Sequence, residues 1–224
     1  MTSAVEIGTE VEAIITNLYL DQILELAAIF ISGLAGGIAG IRKGFDMFGV
    51  VVLAWVASLF GGVLRDVMIG SIPPVGISNW RFLVAAVAGG VAIFFLYPLV
   101  SRRRKSLVVL DAFAMALFVW IGTIKGLEFD MGYLASAIVG VLTGIGGGVV
   151  RDMFTNNMPL VLTDRQYYAI PACLGAVATV VCFQFGFVGP LAAFAVVAGI
   201  VAFRLLALKF HWEVPAAQPR GLTD

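Results

Sequence analysis

The chain has 224 residues, of which 61% are hydrophobic and 12% are charged, and its formal net charge is zero. With a mean hydropathy of +1.02, it has too much apolar surface for a soluble domain of this length, and its balanced charge gives no sign of a nucleic-acid partner. The composition therefore predicts an all-α, polytopic membrane protein whose partners are lipids, solutes and copies of itself.

The first segment, residues 1–19, carries Glu6, Glu10 and Glu12 and no basic side chain. A secretory signal peptide begins with positive charge. We therefore interpret this segment as extracytoplasmic and not as a standard signal peptide.

Seven apolar runs follow, and each has about the 20 residues needed to cross the hydrocarbon core of a bilayer. They cover residues 22–41, 46–69, 82–100, 106–124, 131–156, 167–185 and 189–208. We predict seven transmembrane helices, arranged as a three-helix unit, a basic linker, a second three-helix unit, a seventh helix and a mobile cytoplasmic tail. The corresponding segments are residues 20–100, 101–105, 106–186, 187–210 and 211–224.

Two sequence groups, GGVLRD and GGVVRD, end at Asp66 and Asp152 and lie 86 residues apart (152 − 66 = 86). The same offset relates other pairs, namely Glu25 and Asp111, Gly40 and Gly126, Arg65 and Arg151, Pro73 and Pro159, and Gly89 and Gly175. A shared register over so many residue types indicates a duplicated unit. Because each unit holds three helices, we expect the second copy to enter the membrane from the opposite side, as an inverted-topology repeat.

Basic residues near the helix ends predict the orientation, because they are enriched on the cytoplasmic side. Nine of them share one side: Arg42, Lys43, Arg102, Arg103, Arg104, Lys105, Arg165, Arg204 and Lys209. The other side has only Arg81 and Lys125 outside the Arg-Asp pairs. We therefore expect an extracytoplasmic N-terminus and a cytoplasmic C-terminus. Trp80 and Trp212 lie where interfacial aromatic anchors are expected.

Glycines precede both Arg-Asp pairs late in the second and fifth predicted helices, as Gly61-Gly62 and as Gly146, Gly147 and Gly148. Glycine lowers helix stability, so we predict a kink or break at each group. A break in lipid requires protein or a water-filled cavity around the freed backbone groups, and its half-helix ends can orient ions. The alternative is that these glycines allow close helix packing.

The Arg-Asp pairs place charges where a single charge at mid-bilayer costs roughly 2.5–3.5 kcal/mol. Adjacent residues on a helix project about 100° apart, which disfavours a bond within each pair. We therefore hypothesise cross-pairs between the repeats, Arg65 with Asp152 and Arg151 with Asp66. The pairs either stabilise the fold or border a conduction path.

Three further charged residues lie near helix ends. Glu25 and Asp111, near the starts of the first and fourth helices, are interpreted as capping or interfacial carboxylates, because a carboxylate there complements the helix dipole. Lys125, at the outer end of the fourth helix, would either extend to the interface or act as a gate that blocks a cation path.

A basic cluster follows the third helix and consists of Arg102, Arg103, Arg104 and Lys105. Such a cluster attracts anionic lipid headgroups, so we identify it as a possible lipid contact.

The run GLAGGIAG contains the small-residue pairs Gly33/Gly37 and Gly36/Gly40, which permit close helix approach. The spacing leaves open whether that contact lies within a subunit or between subunits.

Residues for catalysis are scarce. His211 is the one histidine and lies in the tail, so the sequence has no Ser-His-Asp, Cys-His or HExxH arrangement. Cys173 and Cys182 lie nine residues apart in one predicted helix, which is too far for a disulfide bond within that helix. We interpret both as apolar packing residues. We expect no enzyme activity, no metal site and no cofactor.

Together, the seven predicted spans, the duplicated unit and the paired GGxxRD and GGGxxRD groups resemble the prokaryotic branch of the trimeric intracellular cation (TRIC) channel family, also described as a glycine-transporter-domain (UPF0126-like) family. The resemblance implies a homotrimer in a prokaryotic plasma membrane, with a pore in each subunit that conducts monovalent cations, chiefly potassium. It implies that the kinked second and fifth helices line that pore. The matching residues are Gly61, Gly62, Arg65 and Asp66, and Gly146, Gly147, Gly148, Arg151 and Asp152. Lys125 lies where animal members carry a basic residue tied to gating.

The sequence is compatible with three functions. A passive cation channel predicts ohmic flux. A secondary transporter for a small zwitterion such as glycine, which an inverted repeat suits equally well, predicts saturable uptake. A structural membrane scaffold predicts neither. The compact three-helix units and the lack of a polar cage at the glycines favour the channel.

Overall fold

A computed structural model describes residues 4–100, 105–163, 167–210 and 212. In these ranges the chain is all-helical. The helices are α1 (Ala4–Arg42), α2 (Met47–Met68), α3 (Val75–Ser78), α4 (Trp80–Val100), α5 (Ser106–Glu128), α6 (Tyr133–Phe154), α7 (Leu160–Thr163), α8 (Ala169–Gln184) and α9 (Pro190–Phe210).

In the part of the chain that the structure describes, six helical segments are long and apolar enough to cross a membrane: Asp21–Arg42 of α1, and α2, α4, α5, α6 and α9. The sixth predicted span, residues 167–185, forms α8, which has 16 residues. At helical rise this is about 24 Å, less than the roughly 30 Å of a hydrocarbon core. The structure therefore has a polytopic helical membrane fold, and a seventh span remains a prediction.

The first helix begins earlier than predicted, at Ala4 instead of residue 22. The stretch before residue 22 has no proline, and its glutamates are good helix formers. The low hydropathy before residue 22 therefore indicates where the apolar span begins, but not where the helix begins.

The two repeats bring equivalent helices together. Within the first unit, α1 packs against α2 and α4, and within the second unit, α5 packs against α6 and α8. Contacts of α1 with α5 and of α2 with α6 join the units, and α9 packs on α5 and α8. The central helix is α5, which buries Met115, Val119 and Trp120.

The small-residue pairs of α1 serve contacts within the chain. A Cβ atom on Gly33 would lie 3.0 Å from the carbonyl oxygen of Ala86 in α4, and one on Gly36 would lie 3.1 Å from Cα of Ala54 in α2. One glycine row of α1 thus faces α4 and the neighbouring row faces α2.

The predicted helix breaks are not formed. Both α2 and α6 continue as α-helix through their glycine groups. The reason is a reciprocal contact: a Cβ atom on Gly61 would collide with the carbonyl oxygen of Thr143, and one on Gly147 would collide with that of Ala57. These glycines allow α2 and α6 to cross closely, which was the alternative to a break. Whether either helix bends there stays a prediction.

The crossing also fixes the relative direction of α2 and α6. Moving from Ala57 to Gly61 along α2 moves the contact from Gly147 back to Thr143 along α6. The two helices are therefore antiparallel, and their C-terminal ends point away from each other. This geometry separates the two Arg-Asp pairs.

Candidate functional site

The first Arg-Asp pair belongs to a buried ion cluster. Arg65 is 1% exposed, its Nη2 lies 2.7 Å from Oε1 of Glu25, and its Nε donates to Oδ1 of Asp66 at 2.8 Å. Nζ of Lys125 donates to the other oxygen of Glu25 at 3.0 Å. We call these four residues the Glu25 cluster; they come from α1, α2 and α5.

The second pair belongs to an equivalent cluster. Arg151 is 2% exposed, its Nη1 lies 2.5 Å from Oδ1 of Asp111, and its Nε donates to Oδ1 of Asp152 at 2.9 Å. The hydroxyl of Tyr168 donates to Oδ2 of Asp111 at 2.8 Å. We call these four residues the Asp111 cluster. Cζ of Arg204 lies 4.8 Å from the centre of the Tyr168 ring.

Tyr168 acts as a hydrogen-bond donor in this cluster. A carboxylate has no proton to donate, so the phenol O–H of Tyr168 is the donor to Asp111.

The hypothesised cross-pairs between repeats are wrong. The interpretation of Glu25 and Asp111 as capping or interfacial carboxylates is also wrong, because both are buried and each bonds an arginine. By the antiparallel register, Arg65 lies level with residue 139 of α6, about 13 residues or roughly 20 Å from Asp152. Each arginine instead bonds the aspartate beside it and a carboxylate 40 residues earlier.

The 100° between adjacent Cβ directions does not prevent a bond within each pair, because the guanidinium group lies at the end of a long side chain. Nε reaches the neighbouring aspartate, and a terminal nitrogen reaches the preceding helix.

The aspartates also hold the segment after each helix. Oδ2 of Asp66 accepts a hydrogen bond from the backbone N–H of Val75 at 2.8 Å, and Oδ2 of Asp152 accepts one from Leu160 at 2.9 Å. Val75 begins α3 and Leu160 begins α7. Both carboxylate oxygens of each aspartate are therefore engaged within the chain.

The structure describes only some of the remaining predicted residues. The Lys125 side chain is 20% exposed, at the edge of the Glu25 cluster. The exposed Lys105 donates to the carbonyl oxygen of Leu208 at 3.5 Å. Arg102, Arg103 and Arg104 lie outside the described residues, as do Arg165, His211 and the tail after residue 212. The lipid contact and the mobile tail thus stay predictions.

Sequence reasoning missed Tyr168, and it placed Arg204 only among the basic residues near helix ends. For Tyr168 the signal was present in the repeat, because the 86-residue offset relates it to Phe82. A polar residue that replaces phenylalanine at an equivalent buried position indicates a polar environment there, and both side chains are buried. Arg204 is fully buried and lies outside the repeat, so the offset gives no signal for it.

Comparison with known proteins agrees with this architecture. A family model described as "Glycine transporter" matches the chain twice, over residues 22–98 and 108–184. The two matches are offset by 86 residues (108 − 22 = 86), which confirms the duplication.

Several curated relatives are similar over most of the chain. A UPF0126 membrane protein of Vibrio cholerae is 32% identical over 88% of this chain and 82% of its own length. A UPF0126 membrane protein of Deinococcus radiodurans is 34% identical over 68% of this chain and 72% of its own length. The UPF0126 inner membrane protein YadS of Escherichia coli is 29% identical, with coverage of 86% and 93%.

Solved structures share the fold. The TRIC channel orthologue from Rhodobacter sphaeroides superposes with a TM-score of 0.80 and 29% identity, over 86% of this chain and 98% of that one. A TRIC cation channel studied for its conductance gives a TM-score of 0.79 and 27% identity, over 89% and 98%. The chain therefore belongs to the glycine-transporter (UPF0126) family of helical membrane proteins and has the fold of the prokaryotic TRIC channels.

Proposed function

We propose that the chain is a passive channel for monovalent cations, with potassium as the main ion and a path beside α2 and α6 within each subunit. The observation that carries the proposal is the separation of two buried ion clusters to opposite ends of the α2–α6 crossing. This places polar groups at both ends of a mainly apolar bundle. The likeness to solved cation channels supports the same function.

The inverted topology is part of this proposal. Equivalent helices α2 and α6 run antiparallel, as expected when two copies of a three-helix unit insert in opposite directions. With the basic residues in the cytoplasm, the Glu25 cluster lies near the outer face and the Asp111 cluster near the inner face.

Lys125 is the proposed gate. The Glu25 cluster holds two carboxylates and two cationic groups, so it is neutral with Lys125 in place. When the ammonium group leaves Glu25, the cluster keeps one net negative charge. A negative charge at the mouth of a path attracts cations, so displacement of Lys125 both clears the path and favours cation entry.

A second candidate function is the transport of a small zwitterion such as glycine, which the description of the matching family model favours. A zwitterion would need a hydrogen-bond donor for its carboxylate and a hydrogen-bond acceptor for its ammonium group at one site. Arginine and carboxylate groups lie together in each cluster, but their hydrogen bonds already join them to each other.

Assembly and location complete the proposal. We infer a homotrimer in a prokaryotic inner membrane, by analogy with the trimeric channel from Rhodobacter sphaeroides and the inner membrane protein YadS. The basic residues after α4 are proposed to contact anionic lipid on the cytoplasmic side.

The test is reconstitution of the purified protein in planar bilayers under a potassium chloride gradient. The channel predicts unitary currents that are linear with voltage near the reversal potential and that reverse near the potassium equilibrium potential. Glycine uptake into liposomes is measured in parallel. Saturable glycine uptake without unitary currents would contradict the channel and support the transporter. No activity in either assay would support the structural scaffold.

A further inference from the structure

A small cavity lies beside Arg65 in the Glu25 cluster. Residues on its wall include Glu25, Ser58, Gly62, Arg65, Phe82 and Phe118. The centre of a water-sized sphere can occupy a volume of about 10 Å³ inside this cavity. This is close to the volume that one buried water molecule needs, roughly 10–15 Å³.

Two polar groups on the wall have unused hydrogen-bonding capacity. Nη1 of Arg65 is buried and has no hydrogen-bond partner among the described residues, although its guanidinium group can donate five hydrogen bonds. The hydroxyl of Ser58 donates to the carbonyl oxygen of Trp55 at 3.1 Å, and its lone pairs can still accept. A buried donor next to a water-sized space favours a bound water.

The equivalent space in the second repeat is filled by a hydroxyl group. Tyr168 lies 86 residues after Phe82, and a Cβ atom on Gly148 would lie 2.9 Å from its hydroxyl oxygen. At the equivalent Gly62, the nearest atom to such a Cβ is Nη2 of Arg65 at 3.9 Å. The first repeat therefore has room where the second repeat has the Tyr168 oxygen.

We propose that this cavity binds one water molecule, which accepts a hydrogen bond from Nη1 of Arg65 and donates one to Ser58. The water lies at the position that the hydroxyl of Tyr168 has in the second repeat, but it bonds the arginine, whereas that hydroxyl donates to Asp111. The equivalent carboxylate, Glu25, accepts from Lys125 instead. Phe82 keeps the site open because it has the ring of tyrosine without the oxygen.

The first test is an experimental structure of the full chain at a resolution that shows other buried waters. We expect a density peak at hydrogen-bond distance, about 2.7–3.2 Å, from Nη1 of Arg65. A cavity without density, or one closed by movement of Phe82, would overturn the proposal. A strong anomalous peak there after bromide soaking would also overturn it, because the ligand would then be an anion.

The second test is the Phe82→Tyr variant. Its hydroxyl should displace the water and raise the midpoint of thermal unfolding in detergent by about 2–4 °C. The matched control is Tyr168→Phe, which removes the equivalent hydroxyl and should lower that midpoint. A fall in the midpoint for Phe82→Tyr, with its ring shifted out of place, would show that the cavity has no room for an oxygen and would contradict the proposal.

Discussion

At the scale of single residues, the buried arginines are the most demanding feature of the chain. Each has two carboxylate partners, one beside it in sequence and one 40 residues earlier. Such groups tolerate burial because each arginine is matched by hydrogen-bonded carboxylates, whereas removal of one carboxylate breaks a buried pair. The two clusters differ in what else holds the earlier carboxylate, Lys125 for Glu25 and Tyr168 for Asp111.

This difference predicts unequal effects of two equivalent substitutions. Asp111→Asn should lower the free energy of unfolding by about 3–5 kcal/mol, the cost of breaking a fully buried pair. Glu25→Gln should cost less, because the partly exposed Lys125 can be hydrated once it is released. Thermal unfolding of both variants in detergent measures the difference. Equal losses would show that the exposure of Lys125 does not matter.

Lys125 itself is expected to control current more than stability. Lys125→Gln should raise the open probability, because Glu25 then faces the path without its ammonium partner. The unfolding free energy should fall by less than the roughly 3–5 kcal/mol of breaking a fully buried pair, because Lys125 is partly exposed and Glu25 keeps Arg65. Single-channel recording in planar bilayers measures the effect. Arg81→Gln is the control, since Arg81 is an exposed basic residue outside both clusters. A similar gain in both variants would mean that general charge, and not the Glu25 contact, sets the gate.

At the scale of secondary structure elements, the contact between α2 and α6 leaves no room for a side chain at two glycines. Gly61 and Gly147, which precede the Arg-Asp pairs, each lie against a carbonyl oxygen of the opposite helix. A rigid backbone atom cannot move aside as a flexible side chain can. Packing therefore explains these two glycines, and α2 and α6 continue as α-helix through them.

The close contact predicts the outcome of alanine substitution. Gly61→Ala and Gly147→Ala should each lower the unfolding free energy by about 1–3 kcal/mol, the usual cost of overpacking. Gly199→Ala in α9 is the control, because a Cβ atom there meets nothing within 4 Å and alanine favours a helix. Thermal unfolding of the three variants in detergent tests this order. Stable Gly61→Ala and Gly147→Ala proteins would show that the crossing is looser than the structure indicates.

At the scale of the whole molecule, duplication explains how one short chain builds two similar charged clusters. The family model matches each unit separately, and the antiparallel crossing of α2 and α6 directs the clusters to opposite ends. α9 has no counterpart within the two units, yet it brings Arg204 to the Asp111 cluster. The two ends are therefore similar in motif but different in surroundings.

Opposite insertion of the two units predicts opposite labelling of equivalent loops. Ile72 and Met158 lie 86 residues apart and are 75% and 71% exposed. In a background with Cys173 and Cys182 replaced by alanine, Ile72→Cys should react with a membrane-impermeant maleimide on intact cells. Met158→Cys should react only after permeabilisation. Reaction of both from the same side would rule out the inverted topology.

The sequence by itself determined the membrane class, the duplication and the positions of most helices. These are properties of hydropathy and of a fixed offset along the chain, so no knowledge of contacts is needed. The same offset identified Arg65, Asp66, Arg151 and Asp152 before their surroundings were known.

Only the tertiary structure decided which groups these charges meet. The partner of each arginine depends on how neighbouring helices are aligned, and the antiparallel crossing puts about 13 residues between the hypothesised cross-partners. Propensity predicted that the glycines would break α2 and α6, but packing decided otherwise, because a glycine also provides the clearance that a close helix crossing needs. The packing of α8 against α5 decided that Tyr168 belongs to the Asp111 cluster, because its offset from Phe82 indicates a polar environment but does not identify the partner.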